Sequence, residues 1–177
     1  LRVSDLNVPF IITLSVIPDI DLLIPMVRHR GPTHSLLVEL FLLLPLLLLL
    51  RRRALPYILA LTQHSVIGDY IAGQTQLFWP ITAASYGLGM DIEGQQNLAV
   101  EWIAFTASII LMLETKDFHT LQQQHTLNLT LSIPTFTVML PATLSIPLHV
   151  PLSLMPPHLF FSSLFLLSII RSLQTAK

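Results

Sequence analysis

The feature that most constrains this chain is a leucine-rich run closed by three arginines. Leu36–Leu50 is apolar except for Glu39, with Pro45 as a further interruption, and it stops at Arg51-Arg52-Arg53. A second apolar segment, Ala54–Ala72, follows at once. Pro56 falls near its first turn, where a missing N–H is tolerated. Runs this oily are poor candidates for a water-facing surface, so the pair reads as a tight transmembrane helical hairpin. Its legs, from His34 to Arg51 and from Arg53 to Asp69, each run about 25 Å at ~1.5 Å rise per residue. Asp69 therefore returns to nearly the depth of His34, with His64 and Glu39 about a turn deeper.

Composition agrees with the hairpin. Hydrophobic residues make up 53% of the chain, charged residues 11%, and mean hydropathy is +0.70, whereas soluble globules carry about 25% charge. The expectation is an all-α integral membrane protein with about five to six transmembrane helices in one bundle, a single multi-pass domain over residues 1–177. A net charge of −1 gives no reason to expect a nucleic-acid partner. The absence of cysteine excludes disulfides and thiolate metal sites.

Other segments fill in the bundle. Val8–Ile17 is shorter than the ~20 residues a span requires, so it reads as a tilted, partly buried helix or the end of a longer one. It lacks a small-residue cleavage site and leads straight into polar sequence, so it is not expected to be a signal peptide. Leu98–Leu113 is another apolar segment, with Glu101 about a turn inside it, and Phe118–Asn128 reads as a polar loop. From Leu129 onward the chain carries Pro134, Pro141, Pro147, Pro151, Pro156 and Pro157. So many prolines argue against one regular helix. A broken span near 130–150, a proline-rich turn and a final helix over His158–Ile170 are expected in this C-terminal third, residues 116–177. Alternation of sides places Arg2, Arg51, Arg52, Arg53, Lys116, Arg171 and Lys177 together, against Arg28 and Arg30. The positive-inside tendency makes the first side cytoplasmic and turns the opposite face of an inner or plasma membrane outward.

On that outward side lies the polar stretch Pro18–Ser35, which holds Asp19, Asp21, His29, Arg30 and His34 in an otherwise oily chain. Charged groups beside a bilayer are costly and tend to be functional, although a loop of solvated charges would look the same. The hairpin brings His64 and Asp69 to the same level. Carboxylate oxygens with imidazole nitrogens suit Zn²⁺, Mn²⁺ or Fe. Asp19, Asp21, His34, His64 and Asp69 are thus the candidate ligands, with His29 as acid or base and Arg30 as a partner for phosphate or developing negative charge. His64 and Asp69 are five apart, about 140° around an ideal helix, so they share a face only if Gly68 lets the helix loosen. Thr33 reads as an N-cap for the leucine helix. Gly73–Asn97 is a long connection whose Phe78, Trp79 and Tyr86 suit interfacial anchors or a substrate groove. His119, His125, His149 and His158 lack acidic company at ligand spacing and read as loop or packing residues.

Three strings, Pro-Asp-Ile-Asp at 18–21, His-Arg-Gly-Pro-Thr-His-Ser at 29–35, and Gln-His-Ser-Val-Ile-Gly-Asp-Tyr at 63–70 followed by Gln-Leu-Phe-Trp-Pro at 76–80, resemble the YdjM-like group. Its members are prokaryotic inner-membrane proteins described as membrane-bound, metal-dependent hydrolases, and the resemblance covers residues 10 to 115. It implies a multi-helix membrane protein with metal ligands drawn from these Asp and His positions. That group also carries a histidine near its start; none precedes His29 here, and a segment ahead of Leu1 is where it would lie. The function expected is a metal-dependent hydrolase embedded in the lipid bilayer, acting on a lipid-like or phosphoester substrate at the bilayer surface. The alternative is a transporter or ion-conducting protein that uses Glu39, His64, Asp69 and Glu101 as a proton or cation path.

Overall fold

The computed structural model describes residues 6–144 and 150–174, so Arg2, Pro147, His149 and Lys177 lie outside the described residues. Every regular element among them is helical, and the single β-bridge pairs Thr75 with Tyr86. The chain divides into two compact units, one built on Ile11–Met90 and one on Asp91 onward.

In the first unit, 3₁₀ turns over Ile17–Leu23 and Pro32–His34 lead into the leucine helix α2 (Leu36–Leu50), α1 being the short Val8–Leu14. Pro45 sits inside α2 without ending it. A 3₁₀ turn over Arg51–Ala54 reverses the chain into α3 (Leu55–Gln63), with Pro56 in its first turn as expected. The helix then widens to a π-helix over His64–Gly68 and closes as α4 (Asp69–Ala72). The interior of this unit is mixed: Leu14, Leu43, Leu61 and Leu77 are buried together with Asp19, Asp21, His34, Ser35, Glu39, Ser65, Asp69 and Thr75, while Phe41, Leu42, Leu48 and Leu49 of α2 are exposed. Buried charged groups behind a face of exposed leucines are the reverse of the usual water-soluble arrangement.

The connection after α4 is folded back on the hairpin. Thr75 and Tyr86 exchange both backbone bonds at 2.9 Å, Leu88 N donates to Tyr70 O, and Gly89 N donates to Gly73 O. Ser35 Oγ donates to the carbonyls of Leu77 and Trp79, and Leu36 N donates to Leu77 O at 3.0 Å. Ser35, with Leu36 beside it, therefore anchors the loop to the start of α2. Phe78 stacks edge-on against Tyr86 with centroids 5.3 Å apart, so these aromatics pack on each other while keeping more than a third of their surface exposed.

The second unit contains α5 (Gln95–Glu114), α6 (Asp117–Gln122), α7 (Ser132–Pro134), α8 (Leu140–Leu144) and α9 (Met155–Gln174). The stretch expected as a polar loop is partly helical: α6 runs through Gln122, and His125 accepts from Leu127 N to start the 3₁₀ helix Thr126–Leu131. A π-helix over Thr135–Met139 lies between Pro134 and Pro141, so these prolines widen the helix without breaking it, and Thr126–Leu144 stays continuous where a broken span was expected. Pro151, Pro156 and Pro157 gather at the start of the last helix, where proline is tolerated. Phe105, Phe118, Phe160 and Phe161 form a chain of edge-on ring pairs within this unit.

Among the described residues three helices are long and apolar enough to cross a membrane: Gln95–Glu114, Thr126–Leu144 and Leu152–Gln174. That is fewer than the five to six expected. The difference lies in the hairpin, where α2 is only 15 residues and its return leg carries Gln63, His64 and Asp69.

Candidate metal centre

The candidate centre is assembled by the 3₁₀ turn that carries Asp19, the turn that carries His34, and the π-helix that separates His64 from Asp69. The π turn answers the spacing problem. Asp69 N bonds to His64 O across five residues, so positions that an α-helix would splay apart lie on one side. A single wide turn of this kind is rare and often marks functional sites.

Four atoms meet there. His34 Nε2 lies 3.2 Å from Asp19 Oδ1 and 3.2 Å from Asp69 Oδ2. His64 Nε2 lies 3.2 Å from Asp19 Oδ1 and 3.3 Å from Asp69 Oδ2. Asp69 Oδ2 is buried and makes no well-formed hydrogen bond despite this proximity. Metal–nitrogen and metal–oxygen bonds of about 2.0–2.1 Å in a tetrahedron place neighbouring donor atoms roughly 3.3 Å apart. The four nitrogen–oxygen spacings fall at that value, and the donor set of two imidazoles and two carboxylates suits a divalent ion.

The second nitrogen of His34 fixes which ring atom can bind metal. Thr33 Oγ1 donates to Asp21 Oδ2 at 2.6 Å, so its proton is committed, and it can only accept from His34 Nδ1 at 3.0 Å. Asp21 Oδ2 lies 3.3 Å from the same nitrogen. His34 Nδ1 therefore carries a proton, and a neutral His34 presents the Nε2 lone pair to Asp19 and Asp69. Asp21 thus meets His34 at the nitrogen opposite the four-atom cluster. Its other oxygen, Oδ1, receives His29 Nδ1 at 3.0 Å, and Asp19, Asp21, His29 and His34 form a second, overlapping set of possible ligands. His29 is partly exposed and meets the His34 ring edge-on at 5.2 Å.

Arg30 serves Asp69. Its Nε donates to Asp69 Oδ1 at 2.9 Å, leaving Oδ2 to the histidines. The residue adopts a φ of +60°, a left-handed conformation that costs a non-glycine residue energy and tends to persist at functional sites. Its guanidinium lies over Gly73, where any β-carbon would fall 1.8 Å from Arg30 Nη1. Only glycine leaves it that space.

Charge follows this geometry. Burial alone would push the Asp19 carboxyl up, but its hydrogen bonds to His34 and His64 outweigh that and hold it well below the usual carboxylate range. Asp21 is held low in the same way by His29, His34 and Thr33 against the effect of burial. Burial opposes a charge on His34, yet the hydrogen bonds it donates to Asp19 and Asp21 win and raise it to about 9. Without metal, His34 is therefore protonated at pH 7, and a bound ion must displace that proton. Metal affinity should rise as pH rises from 7 toward 9 and fall on acidification, with at least one proton released per ion at pH 7. Calorimetry of metal uptake in two buffers of different ionisation enthalpy measures that proton directly.

The structure thus brings together every candidate ligand and the two candidate catalytic groups. The other polar residues have separate settings. Glu39 is buried in α2 and receives Ser65 Oγ at its Oε1, while Glu101 is exposed on α5. His119 pairs with Gln123 and His158 donates to Leu154 O, each a local contact four residues away. Thr33 is the functional residue that sequence reasoning misassigned. Ser35 takes the N-cap position of α2 and Thr33 holds the His34 tautomer instead. Replacing it, as in Thr33→Val, should weaken metal binding by roughly 10–100-fold with every ligand intact, as read by competition with a chelator.

No protein-family model, no curated protein and no solved structure matches this chain.

Proposed function

We propose that the unit built on Ile11–Met90 is a membrane-embedded, metal-dependent hydrolase acting on a lipid-like or phosphoester substrate at the bilayer surface. The observation that carries this reading is the convergence of His34, His64, Asp19 and Asp69, each histidine nitrogen within 3.3 Å of both carboxylates. The likeness of its three motifs to the YdjM-like hydrolases supports it.

His34, His64, Asp19 and Asp69 hold the ion, which is Zn, Mn or Fe. When bound it supplies Lewis acidity and a water acidic enough to ionise near neutral pH. With four protein donors in place, a metal-bound water would need an ion that takes a fifth or sixth ligand. Asp21 and Thr33 keep His34 in its metal-binding tautomer. His29, fixed by Asp21 through Nδ1 and reachable from solvent, takes up or returns the proton. Arg30 keeps N–H groups beyond the one given to Asp69, and a fixed cation beside the ion binds the oxygens of a phosphoester.

The hairpin of α2 with α3 and α4 enters the bilayer in its own unit, and the three long helices of the other unit also cross it, giving five membrane-embedded legs. α2 alone measures about 22 Å, short of the ~30 Å hydrocarbon core. Arg51–Arg53 reach the far headgroups along their aliphatic stems, on the cytoplasmic side of a cell membrane, and the centre faces outward.

The test is hydrolysis of bis(p-nitrophenyl) phosphate and of a fluorogenic lipid ester by the detergent-purified protein, loaded in turn with Zn, Mn and Fe. Turnover of either that is abolished by chelator and by Asp69→Asn supports the reading. A metal-loaded protein inert on both counts against hydrolysis.

A further inference from the structure

Beside the centre lies an apolar cavity of about 370 Å³, walled by Ile17, Pro18, Ile20, Val38, Leu42 and Leu61. Two wall residues, Pro18 and Ile20, flank Asp19, and Thr33, immediately before His34, also lines it. The cavity therefore opens along the same two turns that supply ligands to the centre. Its lining is almost wholly hydrocarbon, with one conspicuous exception in Glu39.

Glu39 is 2% exposed. Ser65 Oγ satisfies its Oε1, but Oε2 is buried without a hydrogen-bond partner. Buried carboxylate oxygens are normally paired, and an exception asks for an explanation such as a bound group. An oxygen of this kind in an apolar wall complements a molecule that is hydrocarbon over most of its length and bears one donor. Water alone would satisfy the oxygen but gain nothing from the surrounding wall.

We infer that this cavity binds a single unbranched hydrocarbon chain bearing a hydroxyl group, with that hydroxyl donating to Glu39 Oε2. The inference names the apolar part of a substrate and rests on the hydrolase reading only in that respect. It makes Glu39 a positioning residue, which registers the chain while the ligands beside Pro18, Ile20 and Thr33 face the bond to be cut.

The chain has no cysteine, so Val38→Cys introduces a single thiol in the cavity wall. In lipid nanodiscs, the rate at which a small methanethiosulfonate modifies that thiol reports occupancy. 1-Dodecanol and dodecyl methyl ether, at equal mole fraction in the bilayer, differ in the donor alone. The alcohol should slow modification about tenfold more than the ether, the size of one hydrogen bond to a carboxylate. Adding Glu39→Met, similar in shape but unable to accept strongly, should abolish the difference. Equal slowing by both compounds, slowing by neither, or a difference that survives Glu39→Met would each overturn the inference. If Glu39→Met does not fold, the alcohol–ether comparison with Glu39 in place decides alone. Metal content measured on the same samples separates the two readings. Metal without chain protection refutes the cavity and leaves the centre standing; protection without metal upholds the chain site and removes the hydrolase.

Discussion

His34→Gln is expected to strip the metal from this protein while leaving it folded. His34 is fully buried and uses both of its ring nitrogens on the site. Nε2 faces Asp19 and Asp69, and Nδ1 faces Thr33 and Asp21. A glutamine fills similar space and its amide still donates to the carboxylates, so the buried acids keep a partner. It cannot supply a basic nitrogen to a cation. Loss of a supporting partner typically costs 10–100-fold in metal affinity, and loss of a direct ligand should exceed that range. His34→Ala should lose the metal too, but it also leaves Asp19 and Asp69 short of a partner. Breaking a buried ion pair in that way costs roughly 3–5 kcal/mol. Chelator competition on both variants, beside thermal unfolding in detergent, separates the loss of metal from the loss of fold. Retention of wild-type affinity in His34→Gln would remove His34 from the centre.

Gly87→Ala should be among the most destabilising single changes in the first unit. Gly87 has a φ of +155° and sits where the loop closes on the end of the hairpin. A β-carbon there would lie 2.1 Å from Gly73 O and 2.9 Å from Tyr70 O. Both obstacles are backbone, and both carbonyls already accept bonds from the loop, from Gly89 N and Leu88 N. No side chain can swing aside, so the loop must peel away. A strained backbone of this kind costs roughly 1–3 kcal/mol before the lost pairings are counted. The damage should spread to the centre, because the same loop bonds the Arg30 carbonyl through Gln76 N and the start of α2 through Leu77 O. A lowered unfolding midpoint together with weaker metal binding is the expected signature. An unchanged midpoint would mean that the loop contributes little to the unit.

Much of the centre was legible because the chain is so apolar elsewhere. Against that background Asp19, Asp21, His29 and His34 stand out, and the matched length of the hairpin legs is enough to bring His64 and Asp69 to them. The register of those last two was not legible. An ideal helix separates them, Gly68 is the only local hint of a wider turn, and the wide turn runs over His64–Gly68, where His64 and Asp69 both face Asp19 and His34. Thr33 was misread for a related reason. A threonine before a helix has several local hydrogen bonds open to it, and only the position of Asp21 decides among them. The dipeptide His-Ser, present at 34–35 and again at 64–65, was an unused signal. In each copy the serine after the ligand ties that turn to its surroundings, Ser35 to the loop and Ser65 to Glu39. The number of long spans was overcounted because apolar content says where a chain is oily and not how many residues a helix keeps. Arg51 and Ser35 bound α2 at 15 residues. The fold of the Gly73–Met90 loop was out of reach for the opposite reason, since its pairings depend on the Leu36 N–H of α2 and the Tyr70 carbonyl of α4.

The most direct measurement is the metal content of the purified protein, by elemental analysis after separate reconstitution with Zn, Mn and Fe and removal of loosely bound ions. Close to one ion per chain for at least one metal, retained by the wild type and lost in His34→Gln, is the expected result. A folded wild-type protein that holds none of the three would contradict the metal centre and leave the Asp/His cluster as a network of buried ion pairs.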